Sequence, residues 1–320
     1  MPPGSPGAPP HPPGLQFPGQ PGAPGAPRRP VGLIVTVSLL ALTVLIVGAV
    51  ATIGFLQLDA ATATIRDQQR EINDKQRELD DQREIIDSKE TFGAAMESLL
   101  DEVDAYAGVP MATIIPWEEY EYLAQSSWFS RWNADELDRL TADVEHEREL
   151  LVAKREAAQL EASSNSSGSP YEAVFDHLGA GYVTWGFRSS GEVCGGDAWA
   201  CVRGEDPYVV HVVSSVDAEW YVSDWMRTGV AYHEMAHVLQ VTNPEPTEEA
   251  LASFDGNHEH MADCYALTFL DGWSLEHTFR SGGYIYTTSV GYGYTCNSSQ
   301  RDVMRDWYSK LGVQPRTISS

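Results

Sequence analysis

The chain has 320 residues, of which 42% are hydrophobic, and a formal net charge of −25. A chain of this length and composition can hold one or two ordinary domains with a real core. The acidic balance excludes a nucleic-acid binder, which needs a basic footprint, and argues against docking on anionic lipid headgroups. All 46 acidic residues follow residue 58, so the chain divides into segments of different charge and composition.

Residues 1–30 form a segment that cannot bury a core, because it contains twelve Pro and six Gly. The strict Gly-X-Y period of collagen is missing. We predict an extended, disordered tail on the cytoplasmic side. A ligand for a proline-binding partner is the alternative interpretation.

Residues 31–58 carry no charged side chain. A helix of this length extends about 42 Å, and a bilayer core needs about 20 residues. A cleaved signal peptide is the alternative, but its apolar region would be shorter and nearer the start. Arg28 and Arg29 precede the run and Asp59 follows it. The positive-inside rule therefore predicts a single pass through the cytoplasmic membrane, with the N-terminus inside and the C-terminal part extracytoplasmic.

The four cysteines all lie in the part of the chain that this topology exports. Four cysteines allow three pairings. Cys194 and Cys201 bracket a short segment and could close a local bridge, which would leave Cys264 to pair with Cys296. Four reduced thiols are less compatible with an oxidising compartment. The sequence lacks a CxxC spacing, which argues against a zinc ribbon or a thioredoxin-like motif.

Residues 59–162 predict a helical stalk. Apolar residues recur every seven positions, at Leu58, Ile65, Ile72, Leu79 and Ile86. The second seam position of each heptad is mostly polar, so this is a weak coiled-coil pattern. We expect a long exposed helix, and self-association through the apolar row is a further hypothesis.

A second stalk helix is predicted from Asn133 to about residue 162, with Glu136 as a capping-box partner. Five aromatic residues precede it, and they either pack between the helices or line a binding groove: Trp117, Tyr120, Tyr122, Trp128 and Trp132. Residues 163–170 predict a flexible linker. Residues 171–320 then have the composition of a compact α+β domain. Its expected elements are a buried strand at 208–214, helices at 221–241, 247–271 (broken near Gly256) and 298–311, and a loop or strand at 282–296.

His233-Glu234-Met235-Ala236-His237 is an HExxH motif within a predicted helix. His233 and His237 are four residues apart, so both imidazoles project from one helical face and can bind one Zn²⁺. Glu234 is turned slightly aside, where its carboxylate can reach water beside the ion. Two surface histidines are the alternative, but the apolar residues around the motif describe a helix packed in a core, where unpaired imidazoles are costly.

Catalytic zinc normally has three protein ligands and one open position. Downstream, Glu259 and Asp263 again lie four apart on one helical face. One of them can ligate the metal, while the other accepts the N–H of a ligand imidazole. His258 and His260 compete for the third ligand position.

The motif comprises HExxH with Gln240, followed by Glu259-x-x-Ala262-Asp263-Cys264-x-Ala266. This pattern resembles that of the bacterial neutral zinc metallopeptidases. The resemblance covers about residues 205–270, and Ala236 stands where related motifs often have Gly. It implies a gluzincin form of the site on an α+β, zincin-like fold.

By this resemblance His233, His237 and Glu259 ligate Zn²⁺, Glu234 is the general base, and Asp263 supports a ligand histidine. The expected protein is a membrane-anchored zinc endopeptidase acting on a peptide or protein outside the cytoplasmic membrane. A binding or scaffold protein with a structural or degenerate zinc site is the alternative, and a hydrolase of non-peptide amides is a third.

The resemblance also suggests that strand 208–214 is the edge strand to which an extended peptide could add. An additional donor is needed for the developing oxyanion, and the sequence does not choose among five candidates: Tyr284, Tyr286, Tyr292, Tyr294 and His277. Tyr232, beside the first histidine, is expected to be a packing residue.

Overall fold

The computed structural model describes residues 31–189, 193–195, 198–316 and 318, with side chains from residue 39 onward. The tail predicted over residues 1–30 lies outside the described residues, as do the two arginines on which the predicted orientation depends. The chain divides into two compact units, Met1–Arg77 and Glu78–Ser320. The fold is a mixture of helix and sheet.

The first helix, α1 (Val31–Asp104), is continuous because no Pro interrupts it. The helix contains an apolar part and is long and apolar enough to span a membrane. In unit 1 the side chains of residues 39–77 are almost all exposed, among them Ile65 and Ile72 of the heptad row. Self-association through that row stays a prediction.

Two further helices follow in unit 2, α2 (Trp117–Phe129) and α3 (Ala134–Ser164). The Asn133 side chain accepts a hydrogen bond from the backbone N–H of Glu136 at 3.2 Å, which confirms the predicted start of α3. Among the five aromatic residues, Trp117 and Tyr120 are buried between helices, whereas the other three lie on the surface. Helix packing therefore explains only part of that cluster.

The remainder of unit 2 alternates short strands with helices. The elements in chain order are α4 (Pro170–Gly179), β1 (Thr184–Arg188), β2 (Ala200–Arg203), β3 (Asp206–Val213), α5 (Ser214–Asp217), α6 (Asp224–Thr242), α7 (Pro244–Leu251), α8 (His258–Phe269), β4 (Glu276–Ser281), β5 (Tyr284–Ser289) and α9 (Ser298–Ser309). The predicted break near Gly256 is present, because Asp255 and Gly256 both have positive φ and end the turn that follows α7.

The three-stranded sheet has the order β1-β3-β2. β1 runs parallel to β3, and β2 runs antiparallel to it, with Cys201 opposite His211. The prediction that strand 208–214 lies at the edge is therefore wrong. Val210 and Val212 pair with β1 on one side and with β2 on the other, so β2 is an outer strand of the sheet that the described residues form, and it lies beside α6. β4 and β5 form a separate hairpin.

Residues 78–164 belong to the same compact unit as residues 171–320, so the structure shows no domain boundary at the predicted linker. Arg155 of α3 pairs with Glu102 of α1 at 2.6 Å. Asn243, directly after α6, accepts the backbone N–H of Ala112 at 3.2 Å and donates to the carbonyl of Pro110 at 2.9 Å. These long-range bonds tie the helical segment to the end of α6.

Candidate metal centre

Helix α6 carries the HExxH motif, and the opposite face of this helix is packed in the core. The Ser223 side chain caps its start by accepting the backbone N–H of Met226. Ala231, Met235 and Leu239 are completely buried, so they hold the helix in the core. The imidazoles one turn apart therefore share the remaining face. Their ring centroids, those of His233 and His237, lie 4.8 Å apart.

Helix α8 brings the third member of the cluster. The Asn257 side chain caps α8 by accepting the backbone N–H of Glu259 at 2.9 Å, which fixes the first turn. Oε2 of Glu259 lies 3.1 Å from Nε2 of His233 and 3.0 Å from Nε2 of His237. The two Nε2 atoms are 3.1 Å apart. Three side chains from two helices thus converge on one point.

The donor set fits a divalent metal ion. Nδ1 of His233 lies 2.9 Å from Oδ1 of Asp263, and Nδ1 of His237 lies 3.0 Å from Oε1 of Gln240. Each of these oxygens can accept an Nδ1 proton, which leaves the Nε2 lone pairs facing Oε2 of Glu259. Three electron-rich atoms so close together repel each other unless a positive charge lies between them.

Gln240 follows the HExxH motif, and the sequence alone does not indicate its role. Besides meeting Nδ1 of His237, it donates from Nε2 to the backbone carbonyl of His258 at 3.0 Å. Its amide therefore orients one imidazole and ties α6 to the start of α8. An i, i+3 spacing from His237 is a usable signal for such a contact, but the second partner depends on the packing of α8.

Glu234 is the one carboxylate of the site that the cluster leaves free. Its side chain is 5% exposed, and Oε2 has no hydrogen-bond partner among the described residues. Burial raises the pKa of Glu234 above its ordinary value. A buried carboxylate without a partner is costly, so its presence beside the cluster needs a chemical reason.

The remaining pKa shifts show where positive charge is favoured. Burial lowers the pKa of His233, but hydrogen bonds to Asp263 and Glu259 outweigh burial and raise it to about 10. Burial raises the pKa of Glu259, but hydrogen bonds with His233 and His237 hold it well below its usual range. The protein thus stabilises a cation at this point, and a metal ion would take the place of the proton.

The competing ligands lie elsewhere. The His258 imidazole meets Oε1 of Gln240 at 3.2 Å, and the His260 ring stacks on Tyr294 at a centroid distance of 4.2 Å. Asp263 contacts His233 through Nδ1, on the side away from the cluster. Within the described residues, the group that could hold a metal ion is His233, His237 and Glu259.

A cleft of about 920 Å³ opens over this group. Its floor is α6, one wall is β2 with the segment before it, and the other wall comprises residues 288–292 beside α8. Both disulfides have the predicted pairing. Cys194–Cys201 lies beside β2 and lines the cleft, whereas Cys264–Cys296 joins α8 to the segment that follows β5. The free edge of β2 therefore lines the same space as the metal group.

The structure separates the five candidate oxyanion donors. Only Tyr292 lines the cleft. Tyr294 is stacked on His260, while His277 packs against Trp273 at a centroid distance of 4.6 Å. Tyr284 and Tyr286 lie in the β4–β5 hairpin. Burial and the charges of Glu259 and Glu234 raise the pKa of Tyr292, so its hydroxyl keeps its proton at neutral pH.

Tyr232 was expected to be a packing residue. Its ring lies beside that of Tyr265 in α8, with 6.3 Å between the ring centroids. This contact joins α6 and α8 next to the ligands.

The chain matches no family model, no curated protein and no solved structure. The resemblance to the neutral zinc metallopeptidases therefore stays a prediction based on the motif residues, and the arrangement of His233, His237, Glu259 and Glu234 characterises the site.

Proposed function

We propose that this protein is a membrane-anchored, zinc-dependent endopeptidase that hydrolyses peptide bonds outside the cytoplasmic membrane. The observation that carries the proposal is the buried, unpartnered carboxylate of Glu234 beside the His233, His237 and Glu259 group. A purely structural metal site has no use for such a group, whereas hydrolysis needs a base at this place.

We infer that the ion is zinc, because two imidazoles and one carboxylate form a known ligand set of catalytic zinc, and three protein ligands leave one position open for substrate or water. A bound zinc ion would supply Lewis acidity, activating water and polarising the scissile carbonyl. Asp263 and Gln240 would keep the ligand imidazoles in the required tautomer.

Glu234 acts as the general base and then as the general acid. It accepts a proton from the attacking water as the new C–O bond forms. It returns that proton to the amide nitrogen as the C–N bond breaks, which releases an amine and a carboxylic acid, and the remaining acid proton passes to the amine or to solvent. The raised pKa of Glu234 suits a group that must both take up and release a proton.

A peptide is the substrate that the cleft walls favour. Ala200–Val202 of β2 line the cleft, and among the described residues no strand pairs with β2 on the side away from β3. An extended peptide can add to such an edge through backbone hydrogen bonds. This edge replaces strand 208–214 as the proposed binding strand.

The proposed location follows from the apolar part of α1 and the cysteines. One helix is long and apolar enough to span a membrane, and both disulfides lie beyond it in the chain. Disulfides persist in oxidising compartments. With Arg28 and Arg29 before the helix, the positive-inside rule orients the C-terminal part outward.

The test uses the full chain in detergent, with its Glu234→Gln and Glu248→Gln variants. Glu248 lies on α7 and is exposed, so it controls for loss of a carboxylate. We expect about one zinc ion per chain in all three proteins. Peptide-library cleavage should fall at least 100-fold, by an order-of-magnitude estimate, in Glu234→Gln alone.

Two results would contradict the proposal. Wild-type protein that binds no zinc would remove the metal site. Zinc binding without peptide cleavage would favour the alternative, an extracytoplasmic binding or scaffold protein with a structural zinc site. Equal cleavage by Glu234→Gln would remove only the role given to that residue.

A further inference from the structure

Tyr292 lies where the wall of the cleft approaches the metal group. Its ring is nearly parallel to the imidazole of His233, with 6.0 Å between centroids and 23° between planes. Tyr221 also lines the cleft, but its ring stacks on Phe279 and contacts Trp220 edge-on, as part of an aromatic cluster with the β4–β5 hairpin. Tyr292 is thus the cleft tyrosine next to a metal-group imidazole.

The backbone of Tyr292 is held by a carboxylate that also contacts a member of the metal group. Its N–H donates to Oδ2 of Asp263 at 2.8 Å, while Oδ1 of the same carboxylate meets His233 at 2.9 Å. Asp263 is 1% exposed, so both contacts are made away from solvent. One buried group therefore fixes the distance between Tyr292 and the imidazole.

The residue before Tyr292 permits this close approach. Gly291 has a φ of +87°, and a Cβ at this position would lie 2.3 Å from Oδ1 of Asp263. A side chain would meet both a steric clash and an unfavourable backbone conformation. The turn is therefore built tightly against the carboxylate.

The other end of the segment is held covalently. Cys296 is bonded to Cys264, the residue after Asp263. The segment 291–296 is therefore attached to α8 at both ends, by the hydrogen bond of Tyr292 and by the disulfide. A segment held at both ends loses much of the freedom that an ordinary loop has. Tyr292 is consequently a pre-positioned group.

The side chain of Tyr292 is free to act. It is 63% exposed, and its hydroxyl has no hydrogen-bond partner among the described residues. A tyrosine used only for packing would bury more of its ring, as Tyr265 does.

We propose that Tyr292 is a catalytic residue whose hydroxyl donates a hydrogen bond to the substrate carbonyl oxygen as that oxygen becomes negatively charged. This proposal rests on the peptidase function given above. The hydroxyl keeps its own proton throughout. Water adds to the carbonyl carbon, the C=O π electrons move to the oxygen, and the hydrogen bond stabilises that charge until the C–N bond breaks and the C=O bond re-forms.

The experiment compares the full-length wild type with Tyr292→Phe, Tyr221→Phe and Tyr284→Phe. Tyr284 is 70% exposed and lies outside the cleft lining, so it is a matched control for loss of an exposed hydroxyl. We expect Tyr292→Phe to lower kcat about 100-fold, since one oxyanion donor is worth that much, with KM and zinc content unchanged. The control Tyr284→Phe should keep wild-type kcat, and any loss in Tyr221→Phe should be smaller than the loss in Tyr292→Phe.

A second measurement does not require turnover. A peptide phosphonamidate resembles the tetrahedral transition state, so its affinity reports the oxyanion contact. By calorimetry, Tyr292→Phe should bind this probe about 100-fold more weakly than wild type, while zinc affinity stays the same.

Wild-type kcat and unchanged phosphonamidate affinity in Tyr292→Phe would overturn the assignment while leaving the peptidase function intact. A kcat loss in Tyr221→Phe instead of Tyr292→Phe would also overturn it. Loss of zinc from Tyr292→Phe would show that the residue supports the metal group only. Wild-type protein that cleaves no peptide would refute the peptidase function itself.

Discussion

Glu259, rather than its histidine neighbours, completes the metal group because successive residues of a helix point about 100° apart. Once the Asn257 cap sets the first turn of α8, the Glu259 carboxylate faces α6. His258 and His260 then project to either side, where they contact Gln240 and Tyr294. Asp263, one turn on, reaches the far side of a ligand imidazole. Helix geometry thus assigns different roles to adjacent titratable residues.

Gln240 should control metal affinity although it does not belong to the metal group. Replacing Gln240 by Leu removes the acceptor for Nδ1 of His237, and we expect zinc affinity to fall about 10- to 100-fold. Gln240→Glu keeps an oxygen acceptor and should retain zinc affinity. Competition with a chromophoric chelator measures both values.

The control for this prediction is Gln314→Leu, the same substitution at an exposed position in the C-terminal segment. Equal zinc affinity in Gln240→Leu and Gln314→Leu would show that the contact does not orient the imidazole.

The segment from β5 to α9 combines several features that act together on the site. Gly291 allows the turn to approach α8, the Tyr292 N–H holds Asp263, and the disulfide from Cys296 closes the segment. The role of this segment is therefore to hold the carboxylate that contacts His233. A short run rich in Gly and Tyr thus becomes part of the metal centre.

Gly291→Ala and Gly293→Ala form a matched pair within this segment. Both positions have positive φ, so both variants should lose about 1 kcal/mol of unfolding free energy to backbone strain. Only Gly291→Ala places a Cβ against Asp263, whereas Gly293 has no atom within 4 Å. We expect zinc affinity to fall about 10-fold or more in Gly291→Ala alone. Similar zinc affinities in the two variants would contradict the proposal that this segment holds the Asp263 carboxylate in place.

Most of the helical segment that resembles a stalk in the sequence, from residue 78 onward, is part of the same compact unit as residues 171–320. Val109, Met111, Ile114 and Ile115 are buried in the same core as the sheet and α6. The Asn243 side chain forms hydrogen bonds with the backbone of Pro110 and Ala112. The end of the helix that carries both imidazoles therefore depends on residues more than 100 positions earlier in the chain.

A fragment of residues 78–320 should unfold in a single cooperative thermal transition. A fragment of residues 171–320, which starts at the boundary the sequence suggests, should be less stable by roughly several kcal/mol, because it exposes apolar surface and lacks the hydrogen bonds that join Asn243 to Pro110 and Ala112. Calorimetry and size-exclusion chromatography would measure the difference. Equal transition temperatures in the two fragments would show that the helical segment is independent after all.

Local patterns in the amino-acid sequence were sufficient for several features. The apolar run, the HExxH spacing, the Asn133 cap and the pairing of Cys194 with Cys201 all depend on residues a few positions apart. Helical periodicity alone brings such residues together. Glu259 as the third member of the metal group was predicted from the family resemblance, because the residues by themselves left Asp263, His258 and His260 as competing ligands.

Other features depended on long-range packing. Which strand lies at the edge of the sheet is decided by pairing, since β1 and β2 both bond to β3. The second contact of Gln240, the position of Tyr292 and the extent of the folded unit join residues far apart in the chain. No local periodicity encodes these contacts, because they form only when helices and strands pack around one core.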